Sequence, residues 1–214
     1  MRCLTRRAAL GLAASLSASL LAACNGDKFH SIDVSGSSPS LAFTMTRAGD
    51  GKEVTQADYR GQIVLLYFGY TFCPDVCPTT LTNVDDVLRG LGAEAQHVRV
   101  LFVTVDPDRD TLPVLADYVQ NFGTHIDGLR GTPDQLEALT RRYRVVYSVE
   151  PATKTHPYEV THSSAIYVFD ATGAARLLLP SLDAAAVKAT TADLNRLAEE
   201  VHPPGFLSRL LHMV

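Results

Sequence analysis

Two cysteines, Cys73 and Cys77, lie close together in the segment Cys-Pro-Asp-Val-Cys-Pro. Such a pair can form a structural disulfide, act as a redox couple or bind a soft metal ion. On a helix, residues four positions apart share one face, with Cβ atoms about 5–6 Å apart. A disulfide prefers Cβ atoms about 3.8 Å apart, whereas two thiolates on a metal ion are free of this restriction. The spacing therefore leaves all three roles open.

His162 is a candidate third ligand for such a metal ion. Two thiolates and one imidazole suit Cu(I) and, with an added weak ligand, Cu(II). A structural zinc site would take four protein ligands, and the domain has no further cysteine to supply one. Thiol–disulfide exchange needs only the two cysteines, so His162 is the residue that discriminates between the roles. Its position in the sequence alone does not establish that it is a ligand.

Strands alternating with helices are predicted around these residues. The apolar run Ile63–Tyr67 is typical of a strand buried on both faces, and the helix that follows has apolar residues at spacings of three and four as far as Leu91. The cysteines lie in the intervening loop, Gly69–Pro78, which is the arrangement of a thioredoxin-like fold. In that fold the loop entering the strand at Ile166 faces the cysteine loop, so His162 could meet the thiols.

The remaining pattern predicts an α/β fold in which a central β-sheet is flanked by helices, with an N-terminal β-hairpin extension. Gly49-Asp50-Gly51 predicts the hairpin turn. Asp110 or Thr111 is expected to cap one helix, and Thr132–Gln135 has capping-box spacing for another. The other predicted elements are strands at Val98–Val105, Val145–Val149, Ile166–Phe169 and Arg176–Leu179, and a last helix from Asp183 to about Val201.

The N-terminus predicts export and lipid attachment. Three arginines precede an uncharged stretch, which is typical of a secretory signal peptide over residues 1–23. The sequence Leu-Ala-Ala-Cys at its end resembles the lipobox of bacterial lipoproteins, in which the cysteine, here Cys24, is acylated. We therefore expect a protein of the bacterial cell envelope, anchored to a membrane through lipid, with its domain facing the periplasm.

Three further segments are predicted after the signal. Residues 24–40 are polar and rich in Ser and Gly, which indicates a flexible tether. Residues 41–201 form one domain, large enough to bury about 70% of its unfolded surface without a stabilising disulfide. Residues 202–214 form a C-terminal tail that either packs on the domain or touches the membrane.

The charge of the chain excludes some partners. Loss of Arg2, Arg6 and Arg7 with the signal lowers the 19 basic residues to 16 against 23 acidic ones, for a net charge of about −7. This argues against nucleic acid or a bare anionic membrane surface as a partner.

Three segments together resemble the Sco/SenC family. They are Tyr67–Pro78, Val105–Thr111 and His162 before a strand, and the resemblance extends from about Leu41 to Leu197. It implies a thioredoxin fold that binds copper, as Cu(I) or Cu(II), and delivers it to the binuclear copper (CuA) site of cytochrome c oxidase. The implied partners are the copper-bearing oxidase subunit and other periplasmic copper chaperones or thiol reductants.

The same resemblance implies the ligands. Cys73, Cys77 and His162 match the copper-binding positions of the family, and Asp106 matches an acidic residue that lies near the site. Arg109 and Asp110 are expected to make local turn and cap interactions, and Asp75 to be solvated. His156 is a poorer ligand candidate because Pro157 follows it. The histidines that fit no motif and are expected at the surface are His30, His97, His125, His202 and His212.

Two functions remain open on this basis. A metallochaperone would bind and pass on copper without turning over a substrate, whereas a thiol–disulfide reductase would use Cys73 and Cys77 as a redox-active pair to keep cysteines of the oxidase subunit or of other exported proteins reduced. The chaperone is favoured because only copper requires His162. A peroxiredoxin-like peroxidase would need a dedicated peroxidatic pocket, for which the sequence has no signature.

Overall fold

The computed structural model describes residues 29–156 and 158–201. Within these residues the chain forms ten β-strands and four α-helices. The strands are β1 (Ile32–Asp33), β2 (Thr44–Arg47), β3 (Glu53–Thr55), β4 (Ile63–Gly69), β5 (Val98–Thr104), β6 (Ile126–Arg130), β7 (Tyr147–Glu150), β8 (Glu159–His162), β9 (Ile166–Phe169) and β10 (Ala175–Leu179). The helices are α1 (Val76–Leu91), α2 (Leu112–Gln120), α3 (Pro133–Tyr143) and α4 (Val187–Val201), and short 3-10 helices cover Gln56–Tyr59 and Gly92–His97.

Eight strands form one sheet, in the order β1-β10-β9-β4-β5-β6-β2-β3. β4, β5 and β6 are parallel, and the pairings outside them are antiparallel. All seven residues of β4 are buried, because this strand lies inside the sheet and is covered on both faces. α1 packs on α4, and α2 packs against β6. The predicted thioredoxin-like fold, with its central sheet and flanking helices, is confirmed.

The predicted N-terminal hairpin is also present. β2 and β3 pair antiparallel around a turn in which Gly51 has a φ of 69°, a left-handed conformation that favours glycine. β2 also pairs with β6, so the hairpin extends the sheet at one edge.

Residues 30–33 are already bonded to the domain, although the sequence predicted a flexible tether over residues 24–40. β1 pairs with β10, and the backbone N–H groups of His30 and Ser31 donate to the buried carboxylate of Asp193 at 2.9 and 2.8 Å. The predicted signal peptide, Cys24 and the 202–214 tail lie outside the described residues. Among the described helices, none is long and apolar enough to cross a membrane.

Helix starts follow the sequence with one exception. Thr132 and Gln135 form the predicted capping box of α3. Asp183 accepts from the N–H of Ala186 in the turn that leads into α4. Thr111 occupies the N-cap position of α2, but its side chain makes no capping bond, and Asp110 bonds elsewhere.

Candidate metal centre

The two cysteines lie where β4 passes into α1, as predicted. Cys73 is in the loop after β4, and Cys77 is in the first turn of α1, with its N–H donating to Sγ of Cys73 at 3.4 Å. Both thiols are free. The loop is held by Asp110, which accepts from the N–H and hydroxyl of Thr71 at 3.0 and 2.6 Å.

The two thiols differ in exposure and acidity. Cys73 is half-buried, and Cys77 is fully buried. Burial alone would raise the pKa of the Cys73 thiol, but backbone N–H groups of the first turn, from Asp75 and Cys77, point at its sulfur and lower the pKa below its usual value. Burial raises the pKa of the Cys77 thiol to about 12. Cys73 is therefore the thiol that ionises first.

His162 reaches the cysteines from another element. It ends β8, which pairs with β7 in a separate two-stranded ribbon, rather than lying in a plain loop before β9 as the sequence suggested. Its Nε2 lies 3.2 Å from Sγ of Cys77. Its Nδ1 lies 3.0 Å from the carbonyl oxygen of Ser163, which can only accept, so Nδ1 carries the proton and the unprotonated Nε2 accepts from the Cys77 thiol.

Burial keeps this imidazole neutral. It lowers the pKa of His162 below its usual value, and the bond to the Ser163 carbonyl opposes this only in part. The rings of Tyr70 and Tyr67 meet it edge-on, with centroids 5.8 and 6.3 Å away. The ring is thus oriented through its Nδ1–H, in the way that metal-binding histidines usually are.

The three side chains form a group that fits a metal ion. Sγ of Cys73, Sγ of Cys77 and a ring nitrogen of His162 all lie within 4.8 Å of one another. Two thiolates and an imidazole favour soft ions such as copper. A groove of about 350 Å³ passes along Cys73 and His162, with Tyr70 and Val76 in its walls, so these two members of the group face solvent while Cys77 stays buried.

The other described histidines lie outside the ligand group. His156 lies 3.6 Å from Glu159 and is not in the ligand group. His30 is exposed, as predicted, and its Nδ1 lies 3.1 Å from the carboxylate of Asp193. His97 and His125 are half-buried, which differs from the predicted surface position. His202 and His212 lie outside the described residues.

Asp106 is connected to the site through Tyr158 and Arg109. It is 1% exposed and accepts from the hydroxyl of Tyr158 at 2.7 Å and from Nε of Arg109. The local bond of Arg109 was predicted; its contact with Tyr158 was not. Asp75 is exposed, as expected.

Asp110 corrects a prediction. Instead of capping α2, its fully buried carboxylate accepts from Thr71 and from the hydroxyl of Thr104, the latter at 2.6 Å. The cap was predicted from a local rule, but two hydroxyl donors from β5 and from the cysteine loop compete successfully for the carboxylate. Thr71 follows β4, and Thr104 ends the neighbouring strand β5. This pair of threonines at the same edge of the sheet is the sequence signal that could have indicated the role of Asp110.

Fold and site together define a thioredoxin-like protein with a Cys-Cys-His metal-binding group. The SCO1/SenC family profile matches residues 36–199, and the chain belongs to this family.

Relatives and solved structures agree with that assignment. The chain is 46% identical over 125 residues to the mitochondrial protein SCO2 homolog of Bos taurus, covering 58% of this chain and 47% of that protein. Copper-bound ScoI of Bradyrhizobium japonicum is 37% identical with a TM-score of 0.65, covering 74% of this chain and 98% of that one. Apo Sco1 of Thermus thermophilus is 30% identical with a TM-score of 0.69, covering 79% and 97%. The chain spans about half the length of the curated relatives it matches.

Proposed function

We propose that this chain is a copper chaperone that binds one copper ion through Cys73, Cys77 and His162. The observation that carries the proposal is the 3.2 Å approach of an unprotonated imidazole nitrogen to a buried cysteine sulfur. Thiol exchange has no need of this nitrogen, whereas copper uses it as a third ligand. Solved relatives described as copper-bound support the same choice of metal.

We further propose that the copper is delivered to the CuA site of cytochrome c oxidase during assembly of the oxidase. The family and its mitochondrial SCO1 and SCO2 relatives support this role. The protein would act in the bacterial cell envelope, held by lipid on Cys24 with the domain in the periplasm. Its partners would be the copper-bearing oxidase subunit and other periplasmic copper chaperones or thiol reductants.

Anaerobic copper titration of the reduced protein tests the site. We expect one equivalent of copper per chain, and none after oxidation to the Cys73–Cys77 disulfide, because thiolates are the ligands. His162→Ala should retain Cu(I) on two thiolates but lose Cu(II), which needs nitrogen. His125→Ala, whose imidazole faces the Val98 carbonyl, is the matched control. Full binding by the oxidised protein, or unchanged Cu(II) affinity in His162→Ala, would contradict the proposal.

Delivery is tested by mixing the copper-loaded protein with the soluble copper-bearing domain of the oxidase subunit. We expect the CuA absorption bands to appear when two Cu(I) ions have been transferred to each reduced domain and ferricyanide has removed one electron, because the bands belong to the mixed-valence binuclear centre. A Cys73→Ser protein, which lacks a ligand, should not produce them.

A thiol–disulfide reductase is the second candidate. The observation that favours it is the asymmetry of the pair, with an accessible low-pKa thiol at Cys73 and a buried thiol at Cys77. An exposed thiolate can attack a disulfide, and a second thiol nearby can then resolve the mixed disulfide. Reduction of the oxidised oxidase subunit at an equal rate by wild type and His162→Ala would favour this function.

A further inference from the structure

The guanidinium of Arg109 lies between the two segments that carry the proposed ligands. Its central carbon is 3.9 Å from the ring centroid of Tyr158 and 4.7 Å from that of Phe72. Tyr158 directly precedes β8, the strand that ends at His162, and Phe72 directly precedes Cys73. The same arginine therefore contacts both sides of the site.

Asp106 fixes the orientation of this arginine. One carboxylate oxygen accepts from Nε of Arg109, and the other accepts from the hydroxyl of Tyr158. Asp106 is almost completely buried after β5, so it provides a rigid support. A planar guanidinium can donate along its edge to a carboxylate and still stack through its faces, which an ammonium group cannot do.

The strand that carries His162 depends on such contacts. β7 and β8 form a ribbon that is not hydrogen-bonded to the eight-stranded sheet. Its links to the body of the domain include the Tyr158–Asp106 bond and a 3.3 Å bond from the hydroxyl of Tyr70 to the carbonyl of Val160. Phe72, on the other side, is 56% exposed, and Arg109 covers one part of its ring.

We infer that Arg109 is a positioning residue that clamps the His162 strand to the Cys73 loop and so sets the imidazole-to-thiol distance. The inference rests on the proposed function, because it takes copper to be the ion whose binding depends on this distance. Cu(II) needs the imidazole nitrogen as a ligand, whereas Cu(I) can be bound by two thiolates alone. Arg109 therefore governs how well the site holds Cu(II) relative to Cu(I), and it does so through its contacts with Tyr158 and Phe72.

Arg109→Lys tests the clamp, because it keeps the positive charge beside Asp106 and removes the planar stack. In the metal-free protein, amide hydrogen exchange at residues 159–162 should accelerate by about tenfold, because the strand opens more often. Cu(II) affinity should fall by about 10- to 100-fold, as is usual when a group that orients a ligand is lost. Cu(I) affinity should change little.

Arg176→Lys is the matched control. Arg176 also bonds a carboxylate, Glu200 at 2.7 Å, and lies beside an aromatic ring, Phe29 at 5.7 Å, but none of these partners belongs to the site. Its substitution should leave both readouts unchanged. Unchanged exchange and unchanged Cu(II) affinity in folded Arg109→Lys would overturn the inference.

Phe72→Leu covers the case in which Arg109→Lys does not fold, since Phe72 is exposed and its replacement is tolerated more easily. It should weaken Cu(II) binding while leaving exchange at residues 159–162 unchanged, because only the loop side of the clamp is lost. Wild-type Cu(II) affinity in this variant would also count against the clamp. If the wild type binds no copper, the proposed function fails, and the exchange data for Arg109→Lys still decide whether the clamp exists.

Discussion

Gly69, the last residue of β4, lies directly against the sulfur of Cys77. A Cβ added to Gly69 would be 2.9 Å from Sγ of Cys77 and 2.6 Å from Cε2 of Phe102, closer than real contacts allow. The sulfur therefore packs directly against the backbone of Gly69, and the first turn of α1 contacts β4 at this point. Glycine is required here for close approach rather than for an unusual φ.

Gly69→Ala should displace the buried cysteine and its helix turn. We expect the free energy of unfolding to fall by about 1–3 kcal/mol, the usual result of overpacking a core, measured by urea denaturation of the reduced protein. Cu(I) affinity should fall as well, because Sγ of Cys77 moves. Gly49→Ala is the control, since a Cβ at Gly49 meets nothing within 4 Å and its backbone is not left-handed. Equal stability of the two variants would contradict this account of Gly69.

The two thiols should react very differently in the metal-free, reduced protein. Cys73 is partly exposed and its pKa is lowered, whereas the pKa of buried Cys77 is raised to about 12. At pH 7 iodoacetamide should therefore label Cys73 first, because the thiolate is the nucleophile. Mass spectrometry of the Cys73→Ser and Cys77→Ser proteins separates the two rates. Equal labelling rates of both single variants at pH 7 would show that the two thiols do not differ in reactivity.

Attachment of the N-terminal segment should depend on pH through Asp193. Burial opposes ionisation of this carboxyl, but the N–H groups and side chains of Ser31 and His30 outweigh it and lower its pKa. Because the folded-state pKa is depressed, the stabilisation is present above the unfolded-state pKa of about 3.9 and is lost as the pH falls through the folded-state value.

Asp193→Asn should therefore destabilise the protein by about 1.5–3 kcal/mol at pH 7, the usual contribution of hydrogen bonds to a charged group. The difference from wild type should shrink as the pH falls below about 3.9. Urea unfolding at several pH values measures it, with the exposed Asp117→Asn as control. A difference that does not vary with pH would indicate that the carboxylate charge has no part in holding residues 30 and 31.

Much of the fold was predictable because its signals are local. The apolar run of β4, the capping box at Thr132 and the Gly-Asp-Gly turn each depend on residues within a few positions of one another, and all three are confirmed. β1 was missed because a two-residue strand has no periodicity. Ile32 in this strand and Val34, which is buried beside it, are two isolated apolar residues in a segment rich in Ser and Gly.

The site was predictable only in part. The cysteine pair is visible from spacing, but His162 lies 85 residues beyond Cys77. Before the structure, only the expected topology of the fold and a family resemblance connected the histidine to the cysteines. Tyr158 was not identified, because no spacing rule relates it to Asp106, 52 residues earlier. Contacts of this kind follow from strand order, which the sequence pattern determines only loosely.

Asp110 joins three segments around the cysteine loop. Its buried carboxylate accepts from the N–H and hydroxyl of Thr71, two residues before Cys73, and from the hydroxyl of Thr104 at the end of β5. The loop that presents Cys73 is thereby fixed to the neighbouring strand of the sheet.

Asp110→Ala should consequently loosen the cysteine loop. Removal of the carboxylate leaves buried donors on Thr71 and Thr104 unpaired, so the free energy of unfolding should fall by about 2–4 kcal/mol, more than one lost neutral hydrogen bond would cost. Iodoacetamide should label Cys73 faster, because the loop opens more often. Asp108→Ala, an exposed aspartate two positions earlier in the same turn, is the control and should match wild type in both measurements. Asp110→Ala with wild-type stability and wild-type labelling would leave Asp110 without the structural role assigned to it.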